Sequence, residues 1–369
     1  KGEVLNGYRN RLWQSEDMAG IRVIRVWSYI TRNEGFAKRI LDYMSYMVTA
    51  FIAALFVRRV DVIVGTSPQF FTACAACAVS KVKRRPWVFE LRDIWPESIR
   101  AVGAIRRERL LDFLEKVELF LYRDADAVVS VTHAFKRNLI DRGIDENKIA
   151  VVTNGVDTTR FRPMPKDRVL ERSLDLEGKF VAGYIGTHGM AHGLSTLIEA
   201  AELLRDTESG ADVRIIMLGD GAQRGALEES ARAKGLSNIR FIDSVSKEDV
   251  ARYWSLLDVS IIHLQKSELF TTVIPSKLFE CMGMGTPVLH GVEGESAEIV
   301  VRHDIGIPFE PGNAPDLVTK LQLLRGDAAL LERFAANGPP AAAVYDRRIL
   351  AKQMQMLLEE IVAGSARQG

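Results

Sequence analysis

The sequence predicts an α/β protein built from two successive doubly wound domains. Three observations carry that expectation. Strand-like and helical patterns alternate along nearly the whole chain. Several strand-like runs are continuously apolar, as strands of a parallel sheet covered on both faces are. A polar stretch with two prolines, Arg160-Phe-Arg-Pro-Met-Pro165, then breaks the alternation before it restarts. A length of 369 residues agrees, at roughly 100–200 residues per domain.

In the first domain, 1–163, strands are expected at 21–26 (IRVIRV), 61–65 (DVIVG), 87–91 (WVFEL), 127–131 (AVVSV) and 149–153 (IAVVT). Helical spacing fills 36–58, 70–83, 105–122 and 133–142, and Asp124-Ala-Asp126 and Asp141-Arg-Gly143 punctuate the helix ends. In the second domain, 164–345, strands at 180–185, 213–218, 239–242, 259–264 and 287–290 alternate with helices at 194–205, 222–234, 247–257, 276–284 and 296–302. An amphipathic helix over 348–363 ends the series. Open α/β sheets take ligands beyond the carboxyl ends of their strands, so the loops after strands are where chemistry is expected.

A hydrophobic content of 47% with 26% charged residues excludes disorder as the dominant state. Three cysteines, at 74, 77 and 281, exclude a disulfide scaffold and fit a reducing cytoplasm. Cys74-Ala-Ala-Cys77 has redox spacing but falls in an apolar helical stretch, where two small buried residues are expected. No apolar run reaches the ~18 residues of a membrane span. The longest, 46–57 (YMVTAFIAALFV), reads as a core helix in preference to a membrane-associated one. No secretory leader is visible, and an opening Lys-Gly-Glu rather than Met is consistent with a missing start.

The formal charge of +1 conceals an asymmetry. Residues 1–163 hold 27 Lys+Arg against 19 Asp+Glu, and residues 164–369 hold 22 against 29, so a +8 half offsets a −7 half. The basic residues concentrate in Arg58-Arg59, Lys81-Val-Lys-Arg-Arg85 and Arg106-Arg107-Glu-Arg109. Solvated helix ends are one reading. A face attracted to an anionic membrane or anionic substrate is the other.

Four loops stand out. Gly186-Thr-His-Gly-Met-Ala-His-Gly193 joins an apolar strand to a helix. Its glycines let backbone approach a ligand, and helix-start N–H groups favour anions. His188 and His192 can add hydrogen bonds or charge to a phosphate; a tight turn with two exposed imidazoles is the alternative. A zinc site at these histidines lacks an evident third ligand. Gly219-Asp-Gly-Ala-Gln-Arg-Gly225 approximates a dinucleotide fingerprint with its third glycine one residue too far, and reads as a strand–helix turn. In Ile274-Pro-Ser-Lys-Leu-Phe-Glu280, Pro275 suits an early helical position and Ser276 can cap free N–H groups. With Lys277 they form a candidate diphosphate cradle, and Glu280, on the same helix face, can accept hydrogen bonds from a ribose diol. Finally, Arg92 and Asp93 end the strand 87–91, as a structural pair or as cleft residues.

Taken in order, Asn154-Gly-Val-Asp157 with Phe161 and Pro163, Gly219-Asp-Gly221, and the run from Pro275-Ser-Lys-Leu-Phe-Glu280 to Pro287 resemble family 4 glycosyltransferases of the GT-B fold. The string Glu-Leu-Arg-Asp-Ile-Trp-Pro-Glu-Ser at 90–98 and Pro-Ser-Lys are similar to the bacterial WbuB-like subgroup of O-antigen and capsule biosynthesis. The resemblance implies two Rossmann-like domains facing across a cleft, with the segment 346–369 crossing back onto the first. It implies a UDP-sugar donor (an N-acetylated amino sugar among the options) held by the second domain. It further implies a polyprenyl-diphosphate-linked or saccharide acceptor at the first, retention of configuration, no required metal or other cofactor, and no nucleic acid. The location implied is cytoplasmic, peripheral at the inner face of the plasma membrane.

By the same resemblance the donor-side residues are Gly186, Thr187, His188, Gly219, Ser276, Lys277, Glu280 and Glu295. Asp93, Arg92, His192 and Lys277 are the candidate catalytic groups. The family's second glutamate falls on Thr272, its loop cations on Thr187 and His192, and its first-domain histidine on Arg92. Its opening strand and glycine-rich loop have no counterpart here. Leaving-group stabilisation therefore falls to Lys277, the helix start and His192, with Arg92 assisting. A UDP-sugar 2-epimerase and a non-catalytic nucleotide-sugar-binding scaffold are the rival readings.

Overall fold

The structure, a computed structural model, describes residues 4, 7–31, 36–94, 108–207 and 210–366. The chain divides into two compact units, Lys1–Val152 with Gln353–Gly369, and Thr153–Lys352.

The first unit opens with a ribbon. Strand β1 (Trp13–Met18) pairs antiparallel with β2 (Ile21–Val26). Ala19 and Gly20 join them at φ +51° and +82°, the left-handed pair that a two-residue hairpin turn needs. This corrects the placing of 21–26 among the parallel strands. Arg22 and Arg25 mark a strand open to solvent, and β1 escapes a pattern search because its sequence, WQSEDM, is mostly polar. The parallel sheet is β3 (Ile63–Thr66), β4 (Trp87–Leu91), β5 (Ala127–Ser130) and β6 (Ile149–Val151), in that spatial order. Trp87, Phe89, Leu91, Tyr122, Phe135 and Leu139 fill one side of it.

Helix Phe36–Phe56 meets the core-helix expectation on one face only. Ala53 is buried, whereas Leu41, Met44, Val48, Ile52 and Phe56 form an i, i+3/i+4 stripe 44–71% exposed. Helix Phe70–Lys83 carries Cys74 and Cys77, and burial pushes their thiols up to about 11 and 12, which makes them inert packing residues. The helix expected over 105–122 is described as Glu108–Asp124; Trp95, Pro96, Glu97, Ser98, Arg106 and Arg107 lie outside the described residues. The last helix, Arg347–Ala366, sets Met354, Leu357, Leu358 and Ile361 against Val88 and Val129 of this sheet. Among the described residues no helix is long and apolar enough to cross a membrane.

The second unit holds six parallel strands: β7 (Phe180–Ile185), β8 (Val213–Leu218), β9 (Ile239–Ile242), β10 (Val259–His263), β11 (Val288–Gly291) and β12 (Gly306–Pro308). Their spatial order is β12-β11-β10-β7-β8-β9. The first strand in sequence is therefore central, and the order reverses between β7 and β10, where doubly wound sheets open a ligand crevice. Helices Ala314–Gly326 and Ala328–Val344 also belong here. The second of these helices contains Asn337-Gly-Pro-Pro340, residues that locally disfavour a helix. Gly338 is buried there, and a Cβ on it would come 2.8 Å from Met282 O, so the residue lets this helix close on Lys277–Met284.

Candidate functional site

The carboxyl ends of β7, β8 and β9 and the start of helix Lys277–Met284 enclose a cavity of about 510 Å³. Gly186 and Thr187 follow β7, Gly219 and Asp220 follow β8, and Ser244 to Lys247 follow β9. Lys277 and Glu280 come from the helix, and Arg160 and Arg347 from segments next to the ends of this unit.

Glycine is required twice on this floor. Gly186 stands at φ +157°, and a Cβ on it would lie 2.0 Å from Lys277 Cε and 2.3 Å from Nζ. The absent side chain is the space that the lysine crosses. A Cβ on Gly219 would come 1.8 Å from Gly186 O, so the first two loops touch backbone to backbone. Their contact is sealed by His188 N–H donating to Asp220 O (2.9 Å) and Gln223 N–H donating to His188 O (2.9 Å).

Lys277 and Glu280 are both largely withdrawn from water. Burial pushes the Lys277 ammonium down, with the Glu280 charge opposing. Burial pushes the Glu280 carboxyl up, with Lys277, the Trp254 indole and Arg347 pulling it back. Each charge thus lacks full solvation and is only partly compensated, the state that rewards a ligand bringing its own anion and hydroxyl groups.

The histidines of the first loop divide. His188 is fully buried, its ring against Tyr184 (5.9 Å between centroids) and Phe241 (6.3 Å), and neither ring nitrogen has a partner among the described residues. It does not line the cavity; its backbone fastens the loops. His192 is half-buried, and burial followed by the Lys277 charge holds its pKa below the ordinary histidine value. Its carbonyl accepts from His263 Nδ1–H (2.7 Å), while His263 Nε2 accepts from Gly312 N–H (2.9 Å), which fixes a neutral His263.

The helix start departs from expectation. Ser276 is exposed, makes no capping bond and lies outside the cavity lining, and the helix begins at Lys277, two residues after Pro275. Glu295 is buried at the start of helix Glu295–Arg302 and does not line the cavity. Thr272, in the short turn Glu268–Thr272, donates its hydroxyl to Leu269 O (2.7 Å). Arg92 and Asp93 belong to the first unit, at the end of β4, where Ser67 Oγ accepts from both backbone N–H groups (2.8 and 3.2 Å). Arg92 Nε donates to Glu90 Oε1 (3.1 Å), so its ion-pair partner is Glu90 and not Asp93. The sequence reading missed Arg160, Arg347 and Ser244 to Lys247. For the last group a signal existed, since it directly follows a strand end.

A chain of two α/β units with parallel sheets of four and six strands, and a cavity of opposite charges on the strand ends of the second, falls in the GT-B class of glycosyltransferase folds. The comparisons agree. Residues 4–155 match the family model described as glycosyl transferase 4-like domain, and residues 166–340 match glycosyl transferases group 1. The chain belongs to this glycosyltransferase family.

The glycosyl transferase WcaI of Escherichia coli (strain K12), named for colanic acid biosynthesis, is 24% identical over 265 residues, 70% of this chain and 64% of its own. The GDP-mannose-dependent alpha-mannosyltransferase of Mycobacterium tuberculosis is 26% identical over 230 residues, 61% and 56% of the two chains. The chain thus spans less than two thirds of the length of these curated relatives. The crystal structure of Anabaena HepE with UDP-glucose superposes with a TM-score of 0.71 at 20% identity, covering 90% of this chain and 85% of that one.

Proposed function

We propose that the protein is a retaining glycosyltransferase that moves a sugar from a UDP-sugar to a lipid-linked or saccharide acceptor in bacterial surface-polysaccharide synthesis. The observation that carries this is the cavity itself. Lys277 and Glu280 lie one helical turn apart, both short of solvent, at a cavity whose loops carry Gly186 and Gly219. The UDP-glucose complex of a like-folded protein and the surface-polysaccharide name of a relative support it. Glu280 accepts from the ribose diol, and Lys277 stabilises the leaving diphosphate by its charge, with His192 as a neutral hydrogen-bond donor.

In this mechanism the C1–O bond to the diphosphate breaks and the acceptor oxygen bonds to C1 on the face the leaving group vacates. The acceptor proton passes to a diphosphate oxygen, so no protein nucleophile is needed. The protein's work is electrostatic stabilisation of the growing negative charge, and removing one such donor typically costs ~10²–10³ in rate. Asp93 and Arg92 are assigned to the acceptor side. Placement in the WbuB-like subgroup rests on the 90–98 string and Pro275-Ser-Lys277.

The experiment is incubation with UDP-sugars, GDP-sugars and a polyprenyl-diphosphate acceptor. Transfer is expected, and it should be lost in Lys277→Ala and Glu280→Ala. Free epimerised sugar, or nucleotide binding without turnover, would overturn the assignment in favour of an epimerase or a scaffold.

Peripheral attachment to an anionic membrane belongs to the same proposal. It is supported by the exposed stripe of helix Phe36–Phe56 and by Arg58, Arg59, Lys81, Lys83, Arg84 and Arg85 in the same unit. Basic residues near an anionic surface contribute ~1 kcal/mol each.

A further inference from the structure

The loop positions where the family resemblance places two cations hold Thr187 and His192. Thr187 carries no charge, and burial holds His192 towards its neutral form at neutral pH. A diphosphate bound here would meet only Lys277 and the exposed Lys247 if the loops and the helix were the whole site. Two arginines also line the cavity, Arg160 from the 154–163 run and Arg347 from a segment that no motif marks.

Arg347 donates from its backbone N–H to Val156 O (3.0 Å) and from Nε to Gly155 O (3.1 Å). That second bond fixes the plane of the guanidinium. Among the described residues its two terminal nitrogens have no hydrogen bond or ion pair. Arg160 bonds through its backbone N–H to Asp157 O (3.1 Å), and its guanidinium likewise has no hydrogen bond or ion pair among them.

The segments carrying the two arginines are locked together. Val156 bridges Asp346 in a parallel pairing, and a Cβ on Gly155 would come 2.1 Å from Tyr345 O. Asp346 is buried and accepts from Arg348 N–H (2.8 Å), Arg348 Nε (2.9 Å) and the Thr158 hydroxyl. Two guanidiniums whose terminal nitrogens make no hydrogen bond or ion pair among the described residues, on segments joined by backbone pairing and opening into a cavity that already holds Lys247 and Lys277, have the makings of an anion site.

We propose that Arg347 and Arg160 form a clamp for the diphosphate of the donor, supplying the charge that Thr187 and His192 do not. The clamp rests on the nucleotide-sugar reading of the cavity. Because the Arg347 guanidinium is held by Gly155 O before the ligand arrives, it loses little freedom on binding and reorganises little as charge develops. Arg347 is the more constrained of the two and carries the larger share.

The test is calorimetric titration of UDP and uridine, and of GDP and guanosine, into wild type, Arg347→Gln, Arg160→Gln and Arg347→Lys. Each variant's thermal melt is recorded as a check on folding. Arg347→Gln should weaken the diphosphate about ten- to a hundredfold and Arg160→Gln less, as loss of charge-assisted bonds does. The matching nucleoside should change by less than about threefold, since it carries no anion. Arg347→Lys should recover only part of the loss, because an ammonium cannot reproduce the fork. Unchanged diphosphate affinity in both glutamine variants would overturn the clamp, as would equal weakening of diphosphate and nucleoside. If wild type binds none of the four ligands, the nucleotide reading fails and the clamp with it.

Discussion

Replacing Gly186 by alanine tests how the cavity floor and Lys277 depend on each other. The new Cβ would lie 2.0 Å from Lys277 Cε and 2.3 Å from Nζ, both far inside contact distance. These atoms end a flexible side chain, so the lysine can swing away. The stability loss then comes mainly from holding alanine at φ +157°, on the order of 1–3 kcal/mol. The functional loss is that of the displaced ammonium, about 1.5–3 kcal/mol for a charged hydrogen bond, or roughly ten- to more than a hundredfold in UDP affinity. Gly219→Ala is the contrast. Its Cβ meets Gly186 O at 1.8 Å, a backbone atom that cannot swing, so the melting temperature should fall further than for Gly186→Ala. The assay is UDP titration across Gly186→Ala, Lys277→Ala and the double variant. Because both single changes remove the same contact, the double variant should bind hardly worse than Lys277→Ala. Fully additive losses would refute the placing of Lys277 across Gly186.

Acid should unfold the second unit through its buried histidines. Burial pulls His290 down to about 3 while its Nε2 shares a 2.7 Å bond with Ser296 Oγ. The unfolded chain takes up that proton first, so stability is full above pH ~6.5 and falls as pH drops towards 3, by ~1.4 kcal/mol per unit for one proton. Urea melts between pH 8 and 4 should show this slope, and His290→Asn should flatten it; an unchanged slope would remove His290 as the cause. For the membrane face, Ile52→Asp should reduce binding to anionic vesicles at low salt while melting stays near wild type. Equal binding of wild type to neutral and anionic vesicles would count against attachment.

The strands of the second unit were legible because buried parallel strands are continuous apolar runs. The expected bounds 180–185, 213–218 and 239–242 coincide with β7, β8 and β9. The helix expected over 247–257 shortens to Val250–Trp254, because Ser244 to Lys247 are drawn into the cavity wall instead. The ribbon β1–β2 and the helix through Pro339 and Pro340 were not legible. One depends on a turn between a polar and a half-polar strand, the other on packing that overrides local helix-breakers. At the site, Gly186, Thr187, Gly219, Lys277 and Glu280 could be read because they sit in loops after strands or at a helix start. Arg160 and Arg347 could not. They are 187 positions apart in sequence and reach one cavity only because Val156 pairs with Asp346, a tertiary event without a local signature. His188 shows the converse: its loop is the right one, but its ring turns inward to pack on Tyr184 and Phe241.

The central claim is that this cavity holds the donor nucleotide, and a crystal structure of the protein with UDP tests it most directly. The account expects the ribose hydroxyls within hydrogen-bond distance of Glu280 and the diphosphate against Lys277 and the Gly186 loop, with Arg347 reaching the phosphates. UDP bound elsewhere, or bound here with its ribose away from Glu280 and its phosphates away from Lys277, would contradict it.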